Sequence, residues 1–155
     1  MKDTETNKGT VLFAVTCTET DPSCTLCPEP CSLAVLGLFP DETSAVGCAN
    51  RVLVSRRKKI ADYYEDLCGK TAEESAAVIA ELSATETEEE RSIKQYILEQ
   101  LRKQEQQYRT AMVPDLLVVN DEEGRLCEIT ARDESIDWTC CIEIKPMQVG
   151  KDYTA

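Results

Sequence analysis

Cysteine is the residue type in this chain with the most chemistry to offer. Cys17, Cys24, Cys27 and Cys31 follow one another as Cys-x6-Cys-x2-Cys-x3-Cys. Four thiolates that close together can hold one tetrahedral zinc ion, which takes soft ligands from a loop able to fold back on itself. The chain has nine cysteines, an odd number, so they cannot all pair within one molecule. It has no histidine, which removes Ser-His-Asp and Cys-His catalysis, mixed Cys/His zinc sites and imidazole general bases. An all-sulfur set favours a closed structural zinc over a catalytic one. The competing expectation is that these thiols simply pack, since cysteine behaves as a small hydrophobe. Cys140 and Cys141 are strand neighbours, so their side chains point to opposite faces and cannot easily share a metal. One further arrangement stands out: Asp115 after Pro114, then Glu143-Ile144-Lys145.

Pro114-Asp115 followed by Glu143-Ile144-Lys145 resembles the signature of the PD-(D/E)xK nucleases. The resemblance covers five residues. It implies a divalent metal on the Asp115 and Glu143 carboxylates, with Lys145 assisting the attacking water or stabilising the transition state. A helical glutamate such as Glu99 would complete the set, and oxygen ligands suit Mg²⁺. The order of strands sets a geometric test. With a strand at 125–130 between the two halves, a simple meander places Asp115 and Glu143 about 15 Å apart along the sheet at about 3.3 Å per residue. Nucleic-acid cleavage is therefore not expected unless the loop at 131–137 crosses the sheet.

The elements that position these residues follow from periodicity. Thr10–Cys17 is β-branched, aromatic and apolar on both faces, as an interior strand is. A Pro-rich loop over 19–30 leads to a second strand, Ser32–Phe39. Asp41 caps a helix with Ala45, Ala49, Val52, Leu53, Ile60, Tyr64 and Leu67 on one face, ended by Gly69. Thr71 with Glu74 and Thr85 with Glu88 read as two more capping boxes, giving a short helix and then a long one to about Thr110. The stripe of the long helix is Ile93, Ile97, Leu101 and Tyr108, with Leu98 alongside. Pro114 stops it. Strands follow at 115–119, 125–130 and 138–145, with Gly124 in the first turn.

This order predicts an α+β fold. Its antiparallel sheet has about five strands, two N-terminal and three C-terminal, with three intervening helices on one face. A chain of 155 residues fits a single domain, with residues 1–9 and 150–155 as flexible tails. The formal charge of −12 argues against nucleic acid as a partner, since a phosphate backbone is gripped by clustered Lys and Arg. Arg56-Arg57-Lys58-Lys59 is the one basic run, expected to be a solvated helix face because a helix spreads four neighbours around its axis. No apolar stretch approaches the roughly 18 residues of a membrane span, and no signal peptide opens the chain, so an intracellular location (cytoplasmic, or nuclear) is expected. The composite expectation is an acidic, non-enzymatic interaction or regulatory module. Its partner is another protein or a second copy, with Ile93, Ile97, Leu101 and Tyr108 as the contact stripe. The metal-dependent hydrolase on Asp115, Glu143 and Lys145 and the zinc-stabilised module on Cys17, Cys24, Cys27 and Cys31 are the alternatives.

Overall fold

The computed structural model describes residues 10–150, so residues 1–9 and 151–155 of the expected tails lie outside the described residues. The fold is α+β, with a five-stranded antiparallel sheet and two helices. The strands are β1 (Val11–Thr20), β2 (Cys31–Phe39), β3 (Asp115–Asn120), β4 (Leu126–Asp133) and β5 (Trp138–Gln148). The helices are α1 (Glu42–Ala84) and α2 (Glu88–Ala111). Contacts divide the chain into two compact units. One holds the sheet and the start of α1 up to Arg57; the other is Lys58–Pro114.

In the sheet unit the order is β2-β1-β5-β4-β3. The apolar β1 is an interior strand, paired to β2 on one side and β5 on the other. β3, β4 and β5 form a meander. Alternation then sorts the side chains. Val15, Cys17, Ile129, Ala131, Trp138, Cys140, Ile142 and Ile144 are buried on one face, and Ala45, Cys48 and Ala49 of α1 are buried too. The opposite face carries Thr16, Thr18, Glu128, Thr130, Thr139, Cys141 and Glu143 in the centre, with Leu33, Val35 and Leu38 on β2 and Leu117 and Val119 on β3 at the edges. The loop between β1 and β2 closes around a buried carboxylate. Asp21 accepts the N–H groups of Leu26 (2.6 Å) and Cys27 (2.9 Å), and its carbonyl accepts that of Cys24. Burial alone would raise its carboxyl, but the N–H groups of Leu26, Cys27 and Thr25 and the Ser23 hydroxyl hold it below the usual carboxylate range.

Two helices stand where three are expected. α1 runs unbroken through Gly69 and Thr71 for 43 residues, about 65 Å at 1.5 Å per residue. Gly69 does not act as a C′ residue: Lys70, Ala72, Glu73, Glu74, Ala76 and Ala77 beyond it are strong helix formers, and no proline forces an end. Thr71 lies inside the helix and donates its hydroxyl to the Leu67 carbonyl (2.9 Å) instead of capping a new one. The cap of α2 is Thr87, whose hydroxyl accepts the Glu90 N–H (3.4 Å), while Thr85 donates to the Glu81 carbonyl (2.7 Å).

Within Lys58–Pro114 the two helices form an antiparallel hairpin. Tyr64 and Tyr108 have ring centroids 6.0 Å apart, and the Cys68 thiol donates to the Glu105 carbonyl at 3.7 Å. Tyr64, Cys68 and Thr71 are buried on α1, and spacings of four and three continue through Ser75, Val78 and Leu82 to the buried Thr85. On α2 the facing row is Lys94, Leu98, Leu101, Glu105 and Tyr108, with Leu98 the buried member. At the tip, the Lys94 ammonium reaches the Thr85 hydroxyl (3.1 Å) and Arg91 reaches the Thr85 carbonyl (3.1 Å).

Candidate functional sites

The expected site residues divide. Asp115 pairs with Arg132, which pairs with Thr139, while Glu143 pairs with Glu128. Asp115 and Glu143 are thus two strands apart and four residues out of step. That is about 13 Å along the strands and about 10 Å across them. Glu99 lies in the hairpin unit, ion-paired to Lys103 at 3.6 Å. Glu143 and Lys145 do meet, with Lys145 Nζ 3.0 Å from Glu143 Oε2. Their neighbours are Glu128, which no motif announces, and Cys141. One donor atom from each of Glu128, Cys141 and Glu143 lies within 4.8 Å of the others. The Cys141 thiol donates to Glu128 Oε1 at 3.3 Å, and burial together with the two carboxylates raises its pKa. Two carboxylates and a thiol are donors a divalent cation can use. Lys145 already supplies Glu143 with a positive charge.

The four N-terminal cysteines are not brought into one ligand set. Cys17 turns to the buried face of β1, Cys27 is buried in the loop, and Cys24 and Cys31 are exposed. Cys24 adopts φ 53°, an unusual conformation for a residue with a Cβ. The order in this loop comes from Asp21, a residue whose role no spacing motif announces.

Cys17 finds a different partner. Its Sγ lies 3.5 Å from Cys140 Sγ, one register diagonal away on β5, and both thiols are buried. Glu19, two residues along the same face, accepts from Trp138 Nε1 (3.2 Å) and faces Arg56 Nε at 3.6 Å. Arg56 therefore leaves the solvated face expected of the basic run: its side chain is 27% exposed and turns to the sheet. The Cys140 S–H and the Arg56 guanidinium hold Cys17 down, from an ordinary 9.0 to about 7, against burial and the Glu19 charge. The same proton, shared with Cys17, pushes Cys140 up.

Of the expected contact stripe, Leu101 and Tyr108 belong to the internal seam of the hairpin, whereas Ile93 and Ile97 are exposed at 61% and 41%. Tyr96 is exposed beside them, and the antiparallel register brings the exposed Ile79 of α1 level with Ile93. A second apolar exposure lies on the sheet. β3 is an edge strand whose Leu116, Leu117, Val118 and Val119 are 42%, 63%, 52% and 41% exposed, on both faces. The run contains no charge, proline or bulge until Asn120, none of the devices that usually blunt an edge.

Comparison with family models, with curated proteins and with solved structures finds no match to this chain. No helix among the described residues is long and apolar enough to cross a membrane.

Proposed function

We propose that this protein is a non-enzymatic interaction module that captures an extended segment of a partner protein by strand addition to β3. The observation that supports this is the run Leu116–Val119 on an edge strand, apolar on both faces and with no strand among the described residues along its outer side. An added strand gains main-chain hydrogen bonds from the free edge and buries side chains alternately against Leu117 and Val119 on one face and Leu116 and Val118 on the other. The partner segment is accordingly apolar on both faces. Its flanks are basic, because Asp115 bounds the run at one end, Asp121, Glu122 and Glu123 bound it at the other, and the chain carries −12.

The test uses a synthetic peptide of about eight residues, Val- and Ile-rich with lysines at its ends, followed by fluorescence anisotropy. Binding is expected, weakened about tenfold or more by Val118→Lys in the protein or by a central proline in the peptide. Absence of binding, or binding indifferent to both changes, overturns the reading. A wild-type dimer that Val118→Lys makes monomeric also overturns it, since the occupant would then be a second copy.

A second surface is favoured by the exposed row Ile79, Ile93, Tyr96 and Ile97. Its spacing suits the apolar face of a partner helix. Ile93→Asp with Ile97→Asp abolishes capture of an amphipathic helical peptide on this reading, with the circular dichroism of the hairpin unchanged; retained capture excludes it.

A further inference from the structure

We propose that Cys17 and Cys140 form a peroxide-oxidisable dithiol, a modification site buried within the sheet and served by Arg56. The two sulfurs are 3.5 Å apart on adjacent strands and on the same face, near van der Waals contact. Both side chains are almost wholly enclosed, so a product formed there is shielded from competing thiols. Arg56 is the neighbouring cation, and its Nε is buried with no hydrogen-bond partner; Glu19 stands 3.6 Å away. The guanidinium also faces Cys17, which places a donor beside the sulfur pair for the oxygen of a peroxide. The groups facing Cys17 are thus Glu19 on its own strand, Cys140 on β5 and Arg56 on α1, and their combined effect favours the thiolate, which is the reactive form.

The chemistry balances with hydrogen peroxide as oxidant. The Cys17 thiolate attacks one peroxide oxygen, an S–O bond forms, the O–O bond breaks and hydroxide leaves. The sulfur has lost two electrons and is now a sulfenic acid; the peroxide has been reduced. The Cys140 sulfur then attacks Cys17, the S–S bond forms, the S–O bond breaks, and the departing hydroxide takes the Cys140 proton as water. The hydroxide of the first step recovers the proton that Cys17 had released. In sum, two thiols and one peroxide give one disulfide and two waters.

The pair sits on a cross-strand diagonal, where Cα atoms are typically about 7–8 Å apart, slightly beyond the usual disulfide range. Closing the bond therefore draws β1 and β5 together and makes the disulfide easy to reduce.

The experiment treats the reduced full-length protein, in a Cys141→Ser background, with substoichiometric peroxide, then blocks free thiols and maps peptides cut at glutamates. The cuts after Glu19 and Glu143 separate Cys17 from Cys24 and isolate Cys140. A loss of about 2 Da confined to a Cys17–Cys140 cross-link, reversed by dithiothreitol, is expected. In Cys140→Ser the reaction stops at a sulfenic acid on Cys17, a gain of about 16 Da that dimedone traps. Arg56→Gln slows wild-type oxidation severalfold. Oxidation that falls on the exposed Cys24 and Cys31 while Cys17 and Cys140 stay reduced overturns the proposal, as does a Cys17–Cys140 bond that forms only after the protein is unfolded in urea.

Discussion

Leu98 and its neighbour Ile97 give the sharpest test of how the helical hairpin is held together. They are adjacent on α2, similar in size and equally apolar, yet Leu98 is 8% exposed in the seam and Ile97 is 41% exposed outside it. Truncating a buried leucine to alanine removes its transfer free energy and leaves a cavity, together about 2–5 kcal/mol. A two-helix seam has a neighbour on one side only and can relax inward, so Leu98→Ala belongs at the low end, about 2–3 kcal/mol. Ile97→Ala removes a side chain that is already 41% exposed and opens no enclosed cavity, so its cost is about 1 kcal/mol. Urea unfolding followed by circular dichroism reads the difference directly. With a slope of about 1–3 kcal/mol per molar urea, Leu98→Ala lowers the midpoint by roughly 1–2 M, and Ile97→Ala moves it by a few tenths. Equal midpoints for the two variants, or a larger loss for Ile97→Ala, would refute the seam.

The other predictions concern the sheet unit. Glu128→Gln stabilises the fold by about 0.2–1 kcal/mol in the same urea assay, because it removes one of two like charges set directly opposite across β4 and β5 while keeping an acceptor for the Thr130 hydroxyl. Asp21→Ala costs about 1–3 kcal/mol, since the Leu26 and Cys27 N–H groups lose their acceptor. Cys17 is depressed to about 7 from 9.0, so its contribution to stability is complete above pH 9 and is lost as pH falls through 7. Cys140 is raised and acts in the opposite sense, lowering stability as pH rises past 9. Cys17→Ser should therefore flatten the rise in urea midpoint between pH 7 and 9, and an unchanged rise would remove the thiolate from the explanation.

Much of the fold could be read from periodicity, because period-two alternation and turn residues are local properties. All five strands fall close to their expected positions, and β1 is interior as its two apolar faces require. The misreadings arise where a local signal competes with a longer-range one. Gly69 and Thr71 look like a helix end and a new cap. A continuous heptad row from Tyr64 to Thr85 packs against α2, however, and the helix runs through both. Which of Ile93, Ile97 and Leu98 turns inward was not legible for a related reason. α2 has two apolar rows, and which one faces α1 depends on the pairing of Tyr64 with Tyr108 and Cys68 with Glu105. The sites were less legible still. That Cys140 and Cys141 point to opposite faces follows from strand geometry, but their partners do not. Cys17 meets Cys140 only because β1 and β5, at opposite ends of the chain, are neighbours in the sheet. Glu128 joins Glu143 through the β4–β5 register, another long-range fact. Asp21 sits in a Pro-rich loop whose cysteine spacing forms a motif, whereas a single carboxylate forms none.

The most direct test of strand addition is residue-resolved amide hydrogen exchange with and without the lysine-flanked apolar peptide. In the free protein the outward-pointing amides of Leu116–Val119 have no partner strand among the described residues and are expected to exchange fast. With the peptide bound they should become protected by tenfold or more, while the Ile93–Ile97 segment stays unchanged. Protection confined to α2, or to the Leu33–Leu38 edge on β2, with β3 still exchanging fast, would contradict the account.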